Sequence, residues 1–238
     1  MSALLKVNDL WGGYTEGFDI LRGISMEVQQ GEAVGIIGLN GSGKSTFGKT
    51  IMNMIPIRRG EILFNGEDIT SLTTSQLAHR GISIMQQGGK VFPNLSVWDN
   101  LQLAAQGSNG QWSTVNGQLS EVIPLLQRSK KELQNLMADK LSGGQKHQLA
   151  LAMTLATNPS LVILDEPSAG LSPKAVEEMY SILCMIKERL RVAVILIEQN
   201  IAKAIQFCDE VLLLKQGTAL QIKQNNLQEI EIIMFNSK

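Results

Sequence analysis

The segment Gly38–Thr46, reading GLNGSGKST, restricts what this chain can fold into more than any other stretch. It follows a short β-branched run, Val34–Ile37, and precedes a segment of helical period, Phe47–Ile55. That is the G-x-x-x-x-G-K-S pattern in the strand–loop–helix setting its chemistry requires. Gly38, Gly41 and Gly43, with Leu39, Asn40 and Ser42 between them, let the backbone curl so that N–H groups point inward. The following helix adds its positive dipole end, so the loop is a cage for a polyphosphate. Lys44 reaches the β- and γ-phosphates, and Ser45 offers a hydroxyl to the Mg2+ that bridges them. Thr46 and the neighbouring amides hold the α-phosphate end.

Such a loop needs a buried parallel sheet behind it. Val34–Ile37, Ile82–Met85, Leu161–Leu164, Val192–Ile197 and Val211–Leu214 are short apolar runs alternating with helical segments, the mark of parallel strands covered on both faces. The run LVILDEP at Leu161–Pro167 ends in two carboxylates. Asp165 is placed as the metal-side carboxylate. Glu166, one residue further at the strand tip, is placed to accept a hydrogen bond from an attacking water and polarise it.

Other textures flank this core. Leu5–Asp9, Ile24–Val28 and Glu61–Phe64 alternate apolar and polar residues, which predicts an N-terminal antiparallel β layer. From about Ser96 to Ala138 no strand is evident, while Leu119, Val122, Ile123, Leu126 and Leu133 recur at helical intervals. The expectation is an α/β fold: a P-loop NTPase core with a mainly parallel sheet, the antiparallel layer, and an inserted helical subdomain. In residue numbers the core is 1–95 and 141–223, the helical subdomain about 96–160, and the tail 224–238. Gly107–Gly117 is polar and Gly-rich and reads as a surface loop carrying Trp112. The tail holds a short apolar patch, Ile230–Phe235, that must pack on the core or on a partner.

Composition excludes several functions. Lys+Arg number 21 against 22 Asp+Glu, and aromatic residues are only 5% of the chain. Neither a basic field for phosphodiester backbones nor stacking platforms for bases are present, so nucleic acid is not an expected partner. Apolar runs fall far short of the roughly 20 residues that span a bilayer. No export signal is visible at the N-terminus, so the expectation is that the chain stays in the cytoplasm. Cys184 and Cys208 read as isolated buried thiols, and the two histidines, His79 and His147, are too scattered to build a metal site.

The segment LSGGQ, Leu141–Gln145, followed by a helical run, narrows the reading: it resembles the signature of ATP-binding cassette (ABC) ATPases. A physical reason stands beside the resemblance, since Ser142, Gly143 and Gly144 at a helix start present a hydroxyl and closely approachable amides. The resemblance implies ATP as the nucleotide and two cassettes packed head to tail. Ser142, Gly143, Gly144 and Gln145 of one would then cap the γ-phosphate held by the other. It also implies that Tyr14 stacks on adenine, and that Gln87, with Gln86 as the competing choice, touches Mg2+ and the attacking water. Val91–Leu101 matches the family's link into the helical subdomain, where Phe92, Pro93 and Leu95 would dock a membrane subunit.

The likeness runs from about Leu5 to Ile222. Within the family FPNLSVWDNL, EPSAGLSP and ILIEQN resemble cassettes of importers for branched-chain amino acids, and also those for urea and short amides. Three positions depart from the common pattern: Gln199 where most members carry a γ-phosphate His, Ser172 where many carry an Asp, and Gln148 in place of a common Arg. A glutamine amide still donates a hydrogen bond but carries no charge. The expected protein is therefore an ATP-hydrolysing importer subunit with Glu166, Lys44, Gln87 and Gln199 in catalysis. Ser45, Gln87 and Asp165 would lie at the metal. Its partners would be a second cassette and membrane permease subunits, and it would sit peripherally on the inner face of the cell membrane. The rival readings are a weakly hydrolysing partner cassette in a heterodimer and a soluble ABC ATPase outside transport.

Overall fold

The computed structural model describes residues 3–107 and 112–222. In chain order the elements are β1 (Leu5–Gly12), β2 (Leu21–Val28), β3 (Ala33–Ile37), α1 (Lys44–Ile51), β4 (Ile57–Phe64), β5 (Glu67–Asp68) and α2 (Thr74–His79). Then come β6 (Ile82–Met85), α3 (Val97–Ala104), α4 (Trp112–Val122), α5 (Lys130–Asn135), α6 (Gly143–Leu155) and β7 (Leu161–Asp165). The chain finishes with α7 (Pro173–Leu190), β8 (Ala193–Glu198), α8 (Ile201–Phe207), β9 (Glu210–Lys215) and β10 (Thr218–Ile222). Contacts divide it into two units, one formed by Met1–Leu77 with Ala193–Lys238 and the other by Ala78–Val192.

The first unit holds two sheets. Alternation in β1 and β2 buries Leu5, Val7, Leu10, Leu21, Ile24, Met26 and Val28 on one side, and the strands assemble antiparallel in the order β2-β1-β4-β5. Leu5 pairs with both Val28 and Phe64, so three apolar residues meet across one row. Asn65 and Gly66, both at positive φ, close the β4–β5 hairpin, the residue pair favoured for that turn. The other sheet is built on β3, whose five residues are all buried. It lies parallel between β8 and β9, and β10 adds antiparallel to β9. α1 follows β3 and buries Phe47 and Ile51. Each such side chain contributes about 1.5–3 kcal/mol by leaving water.

The second unit pairs β6 and β7 in parallel and packs α6 against β6. It therefore takes in two of the expected core strands along with the helices expected at about 96–160. Asn100 in α3 is fully buried, and its side chain holds the preceding loop: Oδ1 accepts from Phe92 N at 2.8 Å, and Nδ2 donates to Phe92 O at 3.0 Å and Ser96 O at 2.9 Å. Lys130 stands over the Trp98 ring at 4.8 Å, tying α5 to α3.

Two expectations are corrected here. Much of the stretch read as a loop, Gly107–Gly117, belongs to α4, which starts at Trp112; residues 108–111 and the Trp112 side chain lie outside the described residues. α4 forms despite its Ser, Asn and Gly because Leu119 and Val122, three apart, bury one face. Cys184 is exposed, whereas Cys208 is buried as expected. The apolar stripe of α7 runs through Met179, Tyr180, Ile182, Leu183 and Ile186, and Cys184 falls off it. The apolar patch Ile230–Phe235 also lies outside the described residues.

Candidate nucleotide site

In the first unit the backbone from Ile37 to Lys44 forms the candidate phosphate loop, between β3 and α1. Gly38 sits so close to β9 that a Cβ there would lie 2.3 Å from the Leu214 carbonyl oxygen, so only glycine fits. Gly43, at φ 104, stands at the N-cap of α1 and offers no side-chain cap to the start of that helix. The Lys44 ammonium is buried, and Nζ donates to Gly38 O at 2.8 Å and Leu39 O at 3.0 Å. It thus lies along the loop. Ser42 Oγ is buried inside the curl with no hydrogen-bond partner among the described residues. Ser45 and Thr46 occupy the first turn of α1, and Leu39 and Asn40 are exposed at the loop's crest.

The parallel register Ile37↔Glu198 puts Gln199 level with Gly38. Gln199 is exposed at the end of β8, and the turn it stands on is held by a residue the sequence reading missed. Glu198 is 3% exposed, and its Oε2 accepts from Gln199 N at 3.0 Å and from Asn200 N at 3.4 Å. The signal was an acid ending a buried apolar run in ILIEQN. Tyr14 is 58% exposed and opens the segment leading to Ile20, whose Cγ2 would lie 3.2 Å from a Cβ on Gly43. The loop carrying Tyr14 therefore ends against the phosphate loop.

In the second unit the register Met85↔Leu164 puts Gln86 level with Asp165 and Gln87 level with Glu166. Asp165 is 2% exposed at the end of β7. Glu166 is buried, at φ 49, a left-handed conformation rare for a non-glycine residue that concentrates at functional sites. Gln87 Nε2 donates to Glu166 Oε2 at 2.6 Å, so of the two glutamines it is Gln87 that meets the carboxylate.

The same unit holds the signature. Ser142 caps α6 in a reciprocal box: its Oγ accepts from Gln145 N at 3.3 Å, and Gln145 Oε1 accepts from Ser142 N at 3.1 Å. The amides of Gly143 and Gly144 precede the helix's own hydrogen bonds. Gly144 faces α7 so closely that a Cβ would stand 3.3 Å from Ala175 Cβ. Ser142, Gly143 and Gly144 line a cavity of about 610 Å³ with Arg128, Gly170 and Ser172. Ser172 caps α7, accepting from Ala175 N at 3.4 Å, a task Asp would also perform. Gln148 does a different job: its Oε1 accepts from Leu125 N at 3.0 Å and its Nε2 donates to Glu178 Oε1 at 2.9 Å, so both ends of a buried amide are satisfied. Phe92 is 50% exposed and Pro93 is exposed, on the loop that Asn100 clamps.

These residues suit a nucleotide phosphate, given the orphaned Ser42 hydroxyl and the uncapped start of α1. For the metal, no cluster of three His, Cys, Asp or Glu occurs among the described residues. A Mg2+ would take protein oxygens beside phosphate oxygens, the ligand type that ion prefers. The Ser45 hydroxyl and the Asp165 carboxylate are of that kind. Among the described residues no helix is long and apolar enough to cross a membrane.

A family profile described as "ABC transporter" matches residues 21–169. The chain is 32% identical, over 96% of its length and 95% of the relative's, to a probable branched-chain amino acid transport ATP-binding protein, LivF, from Archaeoglobus fulgidus. It is 33% identical to the high-affinity branched-chain amino acid transport ATP-binding protein BraG of Pseudomonas aeruginosa, over 83% of each chain. The lipopolysaccharide export system ATP-binding protein LptB of Escherichia coli is nearly as similar, 31% identical over 90% of this chain and 88% of its own. Among solved structures, a part of the ABC transporter complex cbiONQ from Clostridium perfringens superposes with a TM-score of 0.79 at 29% identity, covering 93% of this chain and 88% of its own.

Proposed function

The chain belongs to the ABC transporter family of ATP-binding cassettes, and from that premise we propose that it powers an importer of branched-chain amino acids or related small polar solutes. That it is a transporter's ATPase cassette follows from the family; direction and cargo are the proposal, since export and import relatives match almost equally well. The observation that carries the hydrolytic part is the 2.6 Å contact between Gln87 and Glu166 at the ends of two register-paired strands.

In this reading ATP is gripped by the Gly38–Thr46 loop. Lys44 exchanges a loop carbonyl for the β- and γ-phosphates, the amides at the start of α1 face the phosphate oxygens, and Tyr14 stacks on the adenine. Mg2+, when bound, neutralises charge between the phosphates, and Ser45, Asp165 and Gln87 are the residues that would hold it. Glu166 accepts a hydrogen bond from the attacking water, and Gln87 fixes the orientation of that carboxylate. Gln199 donates an amide hydrogen to a γ-phosphate oxygen where the common histidine would place a charge, so turnover is slow but real. Ser142, Gly143, Gly144 and Gln145 act on the ATP of a second cassette, capping its γ-phosphate.

Closing of two cassettes on two ATP molecules, and reopening after hydrolysis, is the motion delivered to permease subunits. The exposed Phe92–Pro93 edge, with Leu95 behind it, is the contact surface we assign to those subunits, at the inner face of the cell membrane. A second reading, a weakly hydrolysing cassette paired with a more active one, is favoured by Gln199 and Ser172.

One experiment separates them: purification of the chain from its own cells, identification of co-purifying membrane proteins and cassettes, and phosphate release with and without the paired cassette. Permease subunits of an amino-acid importer, and hydrolysis by this chain alone or by its own sites in the complex, are expected. Export subunits would overturn the importer assignment. No phosphate release by this chain alone, with release restored only by the paired cassette, would favour the weakly hydrolysing reading.

A further inference from the structure

His147 stands two residues beyond the signature, on the first turns of α6, and the reading above gives it no task. Its ring is 7% exposed. Nδ1 lies 3.0 Å from the carbonyl oxygen of Gly143, a signature residue one turn earlier, while Nε2 is buried with no hydrogen-bond partner among the described residues. Against the ring lies Gly89: a Cβ there would come within 2.9 Å of His147 Cγ and 3.0 Å of Nδ1. Only a glycine admits this approach. Gly89 is two residues from Gln87, and Gly88 and Gly89 both have left-handed backbones, at φ 85 and φ 56. Glycine adopts such angles at little cost, so the pair, next to Gln87 in the sequence, is able to serve as a swivel.

An aliphatic side chain would fill this space without burying an unpartnered nitrogen. What the imidazole adds is the bond to the signature carbonyl, made by the same ring that packs on the swivel. We propose that His147 is a positioning residue that ties the signature turn at Gly143 to the Gly88–Gly89 swivel, so that ATP held by the signature sets Gln87 against Glu166. This inference rests on the reading of Gln87–Glu166 as the hydrolytic pair and of the signature as the site for the second cassette's ATP. Movement at Gly143 shifts the ring through its one hydrogen bond. The ring, in contact with Gly89, then shifts the segment that carries Gln87. Such an element changes the rate of hydrolysis once two cassettes have closed, and leaves the first binding of ATP to the phosphate loop alone.

The test compares His147→Leu, which keeps bulk and loses the hydrogen bond, with His147→Gln, whose amide can still donate to the carbonyl four residues back. Gly89→Ala and the Gly89→Ala/His147→Leu double variant complete the set. All are made in the full chain and assayed with the cassette it pairs with, for kcat, KM, the affinity for ATP by calorimetry, and melting temperature. The expected result is a tenfold or larger fall in kcat for His147→Leu with ATP affinity within twofold of the parent. His147→Gln should recover to within about threefold of the parental kcat. The double variant should be no slower than the slower single one, because both interrupt one contact.

Parental kcat in His147→Leu would overturn the proposal. So would an equal loss in His147→Gln, or independent, multiplying losses in the double variant, because each would mark the ring as packing only. Glu166→Gln serves as the reference. If it abolishes hydrolysis while His147→Leu does not slow it, the coupling alone is wrong; if Glu166→Gln hydrolyses like the parent, the hydrolytic pair is wrong and the coupling falls with it.

Discussion

Replacing Glu166 by glutamine should separate folding, binding and chemistry in this cassette. The side chain is buried and its carboxylate accepts from Gln87 Nε2 at 2.6 Å. The substituted amide keeps an oxygen that can accept the same bond, so a charge-assisted interaction of about 1.5–3 kcal/mol becomes a neutral one of about 0.5–1.5 kcal/mol. The net cost is about 1 kcal/mol, or about 2–4 °C in melting temperature for a chain of this size. The left-handed backbone at φ 49 is carried equally by both side chains and cancels. What does not survive is the ability to take up a proton from water, and loss of a positioned general base slows hydrolysis by about 10²–10⁴-fold. At about 1.36 kcal/mol per decade that is about 3–5 kcal/mol on the barrier, several times the effect on stability.

The assays are phosphate release under saturating Mg·ATP, calorimetric ATP affinity and thermal melting, with size-exclusion chromatography to detect a persisting ATP-bound dimer. Glu166→Gly provides a contrast, because it loses the carboxylate yet relieves a backbone strain of about 1–3 kcal/mol. It should be as inactive as the glutamine variant and melt no lower. Hydrolysis by Glu166→Gln above one tenth of the parental rate would refute the assignment, as would a loss of ATP affinity large enough to account for the slower rate.

Lys44→Ala should weaken Mg·ATP binding at least tenfold in calorimetry, because it removes the one ammonium lodged in the loop. Gln199→Ala should slow turnover several-fold with ATP affinity nearly unchanged, as measured by steady-state kinetics beside calorimetry. Gln148→Ala strands the buried Leu125 amide, a loss of about 1–3 kcal/mol that thermal melting should detect as a fall of several degrees. Glu132 is held below its usual carboxylate range first by the Ser129 hydroxyl and then by the Ser129 amide, so its stabilisation is present above its unfolded value and lost as pH falls through the lowered one. The melting-temperature difference between the parent and Glu132→Gln should therefore be largest near neutrality and vanish in acid.

How much of this was legible in the sequence varies with the kind of interaction that decides each element. β3, β7, β8 and β9 are apolar on both faces, so composition alone marks them, and the phosphate loop follows from its spacing. β10 is mostly exposed and paired on one side by β9, and TALQI offers neither alternation nor a continuous apolar run. α4 begins among Ser, Asn and Gly residues that ordinarily argue for a loop, and it is fixed by burial further along, at Leu119 and Val122. At the site, residue types were readable but pairings were not. In GISIMQQ the family resemblance preferred Gln87 with Gln86 as the competing choice, and the register of β6 on β7 sets Gln87 beside Glu166. Gln148 looked like a lost arginine because its partners, Leu125 and Glu178, are far away in sequence and meet it only in the fold.

The unit that carries the phosphate loop is assembled from both ends of the chain, Met1–Leu77 and Ala193–Lys238. On a ribosome this has a cost in time. β3 emerges early, but both strands that flank it, β8 and β9, are made only after the whole intervening unit. At about 5–20 residues per second that delay is on the order of ten seconds. During it Ala33–Ile37 is an apolar strand with two bare hydrogen-bonding edges, while the continuous Ala78–Val192 segment is already free to fold. A nascent cassette can thus form its signature before it can form its nucleotide grip. Chains interrupted before Ala193 would be clients for chaperones and proteases rather than half-working ATPases.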